Sequence, residues 1–167
     1  RDKEYYEALD RDFLERQEGL KVFLFHGAVE GMAGVSNMDF VPISLFPKGF
    51  SYYAGGHIHQ RQKRDVEGYG TFAYPGPLFA GWGIEDLRRY REVGGGFYLV
   101  SLGKSMEVQE VTERPVDVVF VEGNADGKTP AELMGNLEPR GDFSGKVVVI
   151  VLKGTLSSGR VSDISFP

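Results

Sequence analysis

The chain contains no cysteine, one tryptophan and only three histidines among its 167 residues. The absence of cysteine excludes disulfide bonds, thiolate metal sites and cysteine nucleophiles, and it is compatible with a reducing compartment. No apolar run approaches the roughly 20 residues that a membrane-spanning helix needs, and the first residues show no signal-peptide pattern. The composition therefore predicts a protein without membrane partners, and we expect it to be cytoplasmic.

The chain also lacks an initiating methionine, and its first residues already follow a helical pattern, so we expect it to be a fragment. Hydrophobic residues make up 41% of the sequence, which is sufficient for the core of one domain, or of one domain and part of another. The formal net charge is −5, which does not indicate a nucleic-acid binder. Any contact with DNA must therefore come from a local basic patch.

Apolar spacing predicts helices over residues 2–17 and 84–92 and a third from Pro130 to Leu137, which Thr129 would cap. A loop is expected over residues 28–49, with one short helix at 43–46. A boundary near residue 114 would separate one domain, 1–114, from a second, 115–167. Strands are predicted from β-branched and aromatic runs at residues 21–25, 51–54, 70–74, 96–102, 106–111, 116–121 and 146–152.

All three histidines, His26, His57 and His59, lie at predicted strand ends beside glycine. On an extended backbone, His57 and His59 would project to the same side, while Ile58 would point into the core. Carboxyl ends of neighbouring strands converge in α/β sheets, and neutral imidazole is a common ligand for Zn, Mn, Fe and Cu. The alternative is that these histidines are hydrogen-bonding structural residues. The glycine doublet and the third histidine favour a metal site, although spacing does not identify any aspartate or asparagine ligands.

Residues 52–61, YYAGGHIHQR, resemble the last signature of calcineurin-like metallophosphoesterases, glycine-His-x-His. The residues after the motif, Gln60 and Arg61, and the later run YPGP at 74–77 narrow the resemblance to nucleases of the Mre11/SbcD type. The run FHG at 25–27 resembles that family's preceding histidine motif. Two later segments, GFYLV at 96–100 and ERP at 113–115, are similar to the following strand and to the entry to a small capping domain.

The resemblance implies an α/β fold, in which the chain forms half of a four-layer αββα sandwich followed by the start of an α/β cap. It implies that His26 and His57 bind one Mn²⁺ ion and that His59 binds a second. The intact protein would then be a manganese-dependent DNA exonuclease and endonuclease that processes double-strand breaks, forms a homodimer and works with a Rad50-type ATPase. Its location would be intracellular, at the nucleoid or in a nucleus.

The family's Asp-x-His and Asn-His motifs cannot be present, since no fourth histidine exists, and the bridging aspartate of the family's front half is missing as well. The catalytic general acid would come from the absent front half, and we expect this chain alone to be inactive. Two alternatives remain open. One is another metallophosphoesterase, such as a phosphatase or a cyclic-nucleotide phosphodiesterase; the other is a non-catalytic domain that binds DNA or a protein partner.

Polar and basic residues that follow the histidine motif are candidates for contacts with DNA phosphates, although a solvated turn explains them equally well. Three arginines on the predicted 84–92 helix are better explained by ion pairs along the helix. Phe79 and Trp82 could stack on a base, but core packing is the simpler interpretation. The candidate DNA-binding residues are Gln60, Arg61, Lys63 and Arg64.

Overall fold

The computed structural model describes residues 2–32, 38–79, 83–103, 105–137 and 142–165, and it shows an α/β architecture. Two 3-10 turns, Ile43–Leu45 and Val161–Asp163, accompany four helices in these residues. The helices are α1 (Asp2–Glu7), α2 (Arg11–Glu15), α3 (Ile84–Val93) and α4 (Pro130–Asn136). The strands are β1 (Val22–His26), β2 (Ala28–Val29), β3 (Phe40–Val41), β4 (Tyr52–Gly56), β5 (Gln62–Asp65), β6 (Thr71–Tyr74), β7 (Gly95–Leu102), β8 (Met106–Glu113), β9 (Val118–Asn124) and β10 (Val147–Lys153).

The largest sheet has the strand order β1-β4-β6-β5. Strands β1, β4 and β6 are parallel, while β5 runs antiparallel to β6. The register pairs His26, the last residue of β1, with Gly56, the last residue of β4. Two histidine-bearing strand ends therefore meet at the same edge of the sheet.

One face of this sheet is covered by an aromatic core. Tyr53 and Phe72 are fully buried and stack with their ring centroids 4.1 Å apart. Phe46 packs edge-on against Phe25 and Phe72, at centroid distances of 5.0 and 5.4 Å. Aromatic pairs of this kind add to the free energy of burial and prefer these tilted geometries. The core holds β1, β4 and β6 rigidly up to the points where the histidines begin.

A second part of the chain is built from a hairpin and a βαβ unit. Strands β7 and β8 pair antiparallel, whereas β9 and β10 pair in parallel and are connected through α4. Thr129 and Glu132 form the predicted capping box of α4. Helix α3 packs on β9, with Tyr90 buried and its hydroxyl donating to the carbonyl of Val116 at 3.0 Å.

Most predicted elements are confirmed, but the single helix over residues 2–17 is wrong, and the predicted loop over 28–49 contains the paired strands β2 and β3. The chain forms two short helices because the Asp10 side chain accepts a hydrogen bond from the Phe13 backbone and begins α2 anew. Competition of this kind between an aspartate side chain and the helix backbone is typical of caps. The solvated-turn interpretation of the basic run is also wrong for residues 62–65, which form β5.

The two aromatic candidates near residue 80 have different outcomes. Phe79 packs edge-on against Tyr90, with ring centroids 5.0 Å apart, although 39% of its surface stays exposed. Trp82 lies outside the described residues. In the described part of the chain, no helix is long and apolar enough to cross a membrane.

Candidate functional site

An opening of about 470 Å³ lies at the carboxyl end of β4 and faces α3. A neighbouring opening of about 330 Å³ shares His59, Gln60, Asp86 and Arg89 with it. The two openings are therefore parts of one cleft between the strand ends and the first turns of α3. The first opening is lined by Met38, His57, Ile58, His59, Gln60, Glu85, Asp86 and Arg89.

His26 and His57 face one another across the strand ends. Their ring centroids are 5.3 Å apart and the ring planes are inclined by 67°. Gly56 makes this arrangement possible, because a Cβ there would lie 2.7 Å from Nδ1 of His26. Tyr6 and Tyr74 support the same strand end by donating to the carbonyls of His26 and Gly27, at 3.2 and 2.8 Å.

His57 and His59 both reach the cleft, but strand alternation does not place them there, so that part of the prediction is wrong. Strand β4 ends at Gly56, and His57 has a φ of 89°, in the left-handed region. The turn directs His57 toward His26 and allows His59 to face α3. Ile58 is buried in the aromatic core, as predicted.

His59 is held by a carboxylate on α3. Its Nδ1 lies 2.8 Å from Oδ2 of Asp86, with the His59 side chain 42% exposed and that of Asp86 20% exposed. The contact joins a strand-end turn to a helix 27 residues further along the chain. The third histidine is thus separate from the His26–His57 pair and has its own acidic partner.

The donor chemistry fits part of a metal site. Two facing imidazoles with ring centroids 5.3 Å apart would be suitable ligands for one ion, and the Gly56 position leaves room for the His26 ring. However, no group of three or more histidine, cysteine, aspartate or glutamate side chains in the described residues is arranged to hold a metal ion. The described residues therefore present a pair of facing histidines and a separate third histidine, and a metal site would need further donors.

The four residues predicted to contact DNA are not brought together as one patch. Arg61 lies against the β7–β8 hairpin, where Nη1 donates to Glu110 and Thr112 at 2.8 Å each and Nε donates to the Pro75 carbonyl at 3.2 Å. Arg64 donates to the carbonyl of Gly31 at 3.0 Å. Lys63 lies beside β8. Gln60 lines both openings of the cleft, and Arg61 lines the smaller one.

The arginines of α3 also have different environments. Nη2 of Arg88 lies 2.9 Å from Oε1 of Glu122 on β9, whereas its Nε lies 3.9 Å from Oε1 of Glu85. The main ion pair of Arg88 therefore lies outside its own helix. Arg91 lies over the ring of Phe120, 4.9 Å from its centroid. The predicted helical ion pairs are thus confined to one weak contact. Arg89 lines both openings and has no ion pair with any described residue.

Sequence reasoning did not single out Asp86 as a site residue or Arg89 as a cleft residue. Both lie on a helix that begins at Ile84, 25 residues after His59, in a stretch with the ordinary acidic-basic pattern of a solvated helix. No local pattern in the sequence marks either residue as part of the site. Only the packing of α3 against the sheet edge shows which acid faces a histidine.

Fold and site together define an α/β protein with a histidine-bearing cleft at the carboxyl ends of parallel strands. No family model matches the chain. It is similar to the DNA double-strand break repair protein Mre11 of Methanococcus maripaludis, 31% identical over 104 residues that cover 58% of this chain and 26% of the relative. The Mre11 of Saccharolobus solfataricus is 27% identical over 111 residues, which cover 65% of this chain and 29% of that protein.

These two matches support a relationship to Mre11-type proteins, in agreement with the resemblance seen in the histidine motifs. The matched part of the chain spans less than a third of the length of either curated relative. Most of each relative therefore has no counterpart in these alignments.

Proposed function

We propose that this chain is the histidine-bearing part of a manganese-dependent DNA nuclease that processes DNA ends in double-strand-break repair. The observation that carries the proposal is the pairing of His26 with His57 at the strand ends, beside a cleft that His57 and His59 line. Similarity to two proteins named for DNA double-strand break repair supports the choice of DNA as substrate.

In this proposal His26 and His57 hold one Mn²⁺ ion, and His59 contributes to a second. When bound, such a pair would supply an activated water molecule and would stabilise charge in a displacement at phosphorus. The chain's own residues orient these ligands: β1 and β4 fix the His26–His57 pair, and α3 holds His59 through Asp86. The donors that would complete both ions, and the general acid, lie in another part of the protein.

Substrate contact is assigned mainly to the cleft rather than to the whole basic run. Arg89 lines both openings beside His59, and its charge is not engaged by a described carboxylate. A free guanidinium close to metal-binding histidines suits a phosphate oxygen of the DNA backbone. Gln60 lines the same cleft, whereas Arg61 and Arg64 already have protein partners.

The proposal includes the wider context that the resemblance implies. The intact protein would act inside the cell, at the nucleoid or in the nucleus, as a homodimer with a Rad50-type ATPase. The isolated chain would lack nuclease activity because its donor set is incomplete. A phosphatase or a cyclic-nucleotide phosphodiesterase remains the alternative within the superfamily, and a non-catalytic binding domain is the alternative outside it.

The proposal is tested by calorimetric titration of the 167-residue chain with Mn²⁺, beside a His57→Ala, His59→Ala double variant. A Gln17→Ala variant, altered at an exposed position just after the C-terminal end of α2, serves as a control. Binding by the chain and the control, and its loss in the double variant, is the expected result. Equal binding by all three proteins, or no binding by any, would reject the metal site.

Nuclease activity is then measured on the intact protein, with the same two histidines exchanged, against linear double-stranded DNA and a phosphate monoester. Hydrolysis of DNA that needs both manganese and the histidines is expected. Hydrolysis of the monoester alone would indicate the phosphatase alternative instead.

A further inference from the structure

Helix α3 forms the wall of the cleft opposite the histidines, and Asp86 on this helix contacts His59 across the cleft. Asp86 lies in the first turn of α3 and its Oδ2 is 2.8 Å from Nδ1 of His59. We propose that Asp86 is a positioning residue that fixes the ring and the tautomer of His59, so that Nε2 is presented for metal binding. The inference rests on the proposed function and adds a residue to it.

The contact is selective among the charged groups nearby. Glu85, one position earlier, has an 87% exposed side chain, and its Oε1 lies 3.9 Å from Nε of Arg88, a long contact. Arg88 is engaged by Glu122 on β9, and Arg61 by Glu110 on β8. In the described part of the chain, Asp86 therefore pairs with His59.

The chemistry of the two groups determines which nitrogen carries the hydrogen. An ionised carboxylate only accepts hydrogen bonds, so Nδ1 of His59 must be the donor. In neutral imidazole the other nitrogen, Nε2, then carries the lone pair that a metal ion needs. Carboxylates in this position fix the ring orientation and raise the basicity of metal-binding histidines.

The position of the pair in the fold favours such a role. His59 lies beyond the end of β4, in a turn that begins with the left-handed His57, and its side chain is 42% exposed. A long-range hydrogen bond is thus needed to restrict its ring. Asp86 supplies it from a helix anchored by the buried Tyr90. The ring is positioned without any change in the sheet.

The test compares Asp86→Ala, Asp86→Asn and Glu85→Ala in the 167-residue chain. Glu85→Ala is a matched control because it removes an equal charge from the same first turn of α3 without touching His59. Nitrogen NMR of the metal-free chain, at a pH where the imidazoles are neutral, reports the His59 tautomer. Titration with Mn²⁺ reports the affinity in parallel.

We expect the Nδ1–H tautomer in the parent chain and in Glu85→Ala, and a mixture of tautomers in Asp86→Ala. Manganese affinity should fall by roughly 10–100-fold in Asp86→Ala and remain within about twofold in Glu85→Ala. Asp86→Asn should restore the tautomer, because an amide oxygen accepts the same hydrogen bond, and it should recover part of the affinity.

Either of two results would overturn the inference: an unchanged tautomer in Asp86→Ala, or a changed tautomer with unchanged manganese affinity. The latter would leave Asp86 as an anchor for α3 only. Failure of the proposed function has a different signature, since the parent chain would then bind no manganese at all, whatever the tautomer of His59.

Discussion

At the residue scale, His57 has the most unusual backbone among the described residues. It is the single residue there, apart from glycines, with a positive φ, at 89°. A side chain in this region costs on the order of 1–3 kcal/mol and persists where the surroundings enforce it. Here the strained turn brings the imidazole to the ring of His26, so the strain coincides with the arrangement that the proposed metal site needs.

We predict that the free energy of unfolding of His57→Gly exceeds that of His57→Ala by about 1 kcal/mol, because glycine adopts positive φ without steric cost. Urea denaturation measures the difference. His26, which lies in β1, is the control: there the glycine variant should be the less stable one by about 0.5–1 kcal/mol. If the glycine variant is less stable than the alanine variant at both positions, the His57 backbone is not strained.

Arg89 provides a second prediction at this scale. Arg89→Ala should weaken binding of short double-stranded DNA. It should also reduce the steepness of the slope of log K against log salt concentration by about 0.9, which corresponds to the loss of one phosphate contact. Fluorescence anisotropy at several salt concentrations measures both quantities. Arg16→Ala, which removes the same charge at the end of α2, should leave them unchanged. Equal effects of the two variants would mean that only net charge matters.

At the element scale, Arg61 connects the main sheet to the β7–β8 hairpin. Its side chain is 14% exposed and joins Pro75, Glu110 and Thr112 through three hydrogen bonds. Gly96 on β7 leaves space for the guanidinium, since a Cβ there would collide with it. The residue that the sequence presents as a DNA contact therefore has a structural role that its position in the motif does not reveal.

Arg61→Ala should lower the free energy of unfolding by about 1.5–3 kcal/mol, the range for hydrogen bonds to a charged group. Arg61→Lys should not restore it, because a lysine cannot reproduce the planar fork of donors. Urea denaturation measures stability, and hydrogen exchange in β7 and β8 reports whether the hairpin loosens. Lys63→Ala, on the same strand region, should change stability by less than about 0.5 kcal/mol.

At the scale of the whole molecule, the main sheet has one well-covered face and one open face. On the open side, Leu24 is 77% exposed and Phe97 is 43% exposed, and both line an apolar groove with Tyr52 and Ala54. Strand β1, which carries Leu24, is an edge of the described sheet. Parallel sheets are normally covered on both faces, so this surface favours association with other chains.

We predict that Leu24→Lys reduces self-association at high protein concentration and leaves the free energy of unfolding nearly unchanged, since Leu24 contributes little to the core. Sedimentation equilibrium measures the first quantity and urea denaturation the second. Leu20→Lys, at a position that is 56% exposed but precedes β1, is the control. An equal reduction by the control would attribute the effect to added charge rather than to this face.

The buried tyrosines give the molecule a defined limit of stability at alkaline pH. Burial raises the pKa of Tyr52 to about 12, with a smaller contribution from Tyr98, and burial also raises the pKa values of Tyr53 and Tyr74. The unfolded chain ionises near pH 10, before the folded chain does. Stability is therefore fully present below about pH 10 and declines as the pH rises toward 12.

Thermal unfolding followed across this pH range, together with phenolate absorbance, should show loss of structure coincident with tyrosine ionisation. Tyr5→Phe, at a position that is 69% exposed and outside the core, should not alter the transition. Ionisation of the buried tyrosines well below the unfolding transition would contradict the assigned burial.

The sequence by itself determined most elements and the identity of the metal-binding candidates. Apolar runs such as residues 147–153 and the capping box at Thr129 depend on local chemistry, which is why the strand and the helix were predictable. Glycine beside each histidine likewise indicated strand ends close to a site. The break between α1 and α2 was missed because one side-chain cap, at Asp10, outweighed a helical spacing.

The tertiary structure alone decided which side chains contact the histidines and flank the cleft. Asp86 meets His59 across 27 residues, and Arg61 meets Glu110 across 49, so neither pairing has a local signal. The side-chain direction of His57 follows from a left-handed turn that strand alternation does not describe. Local sequence fixes the backbone's preferences, whereas the partner of each charged side chain is determined by which elements pack against one another.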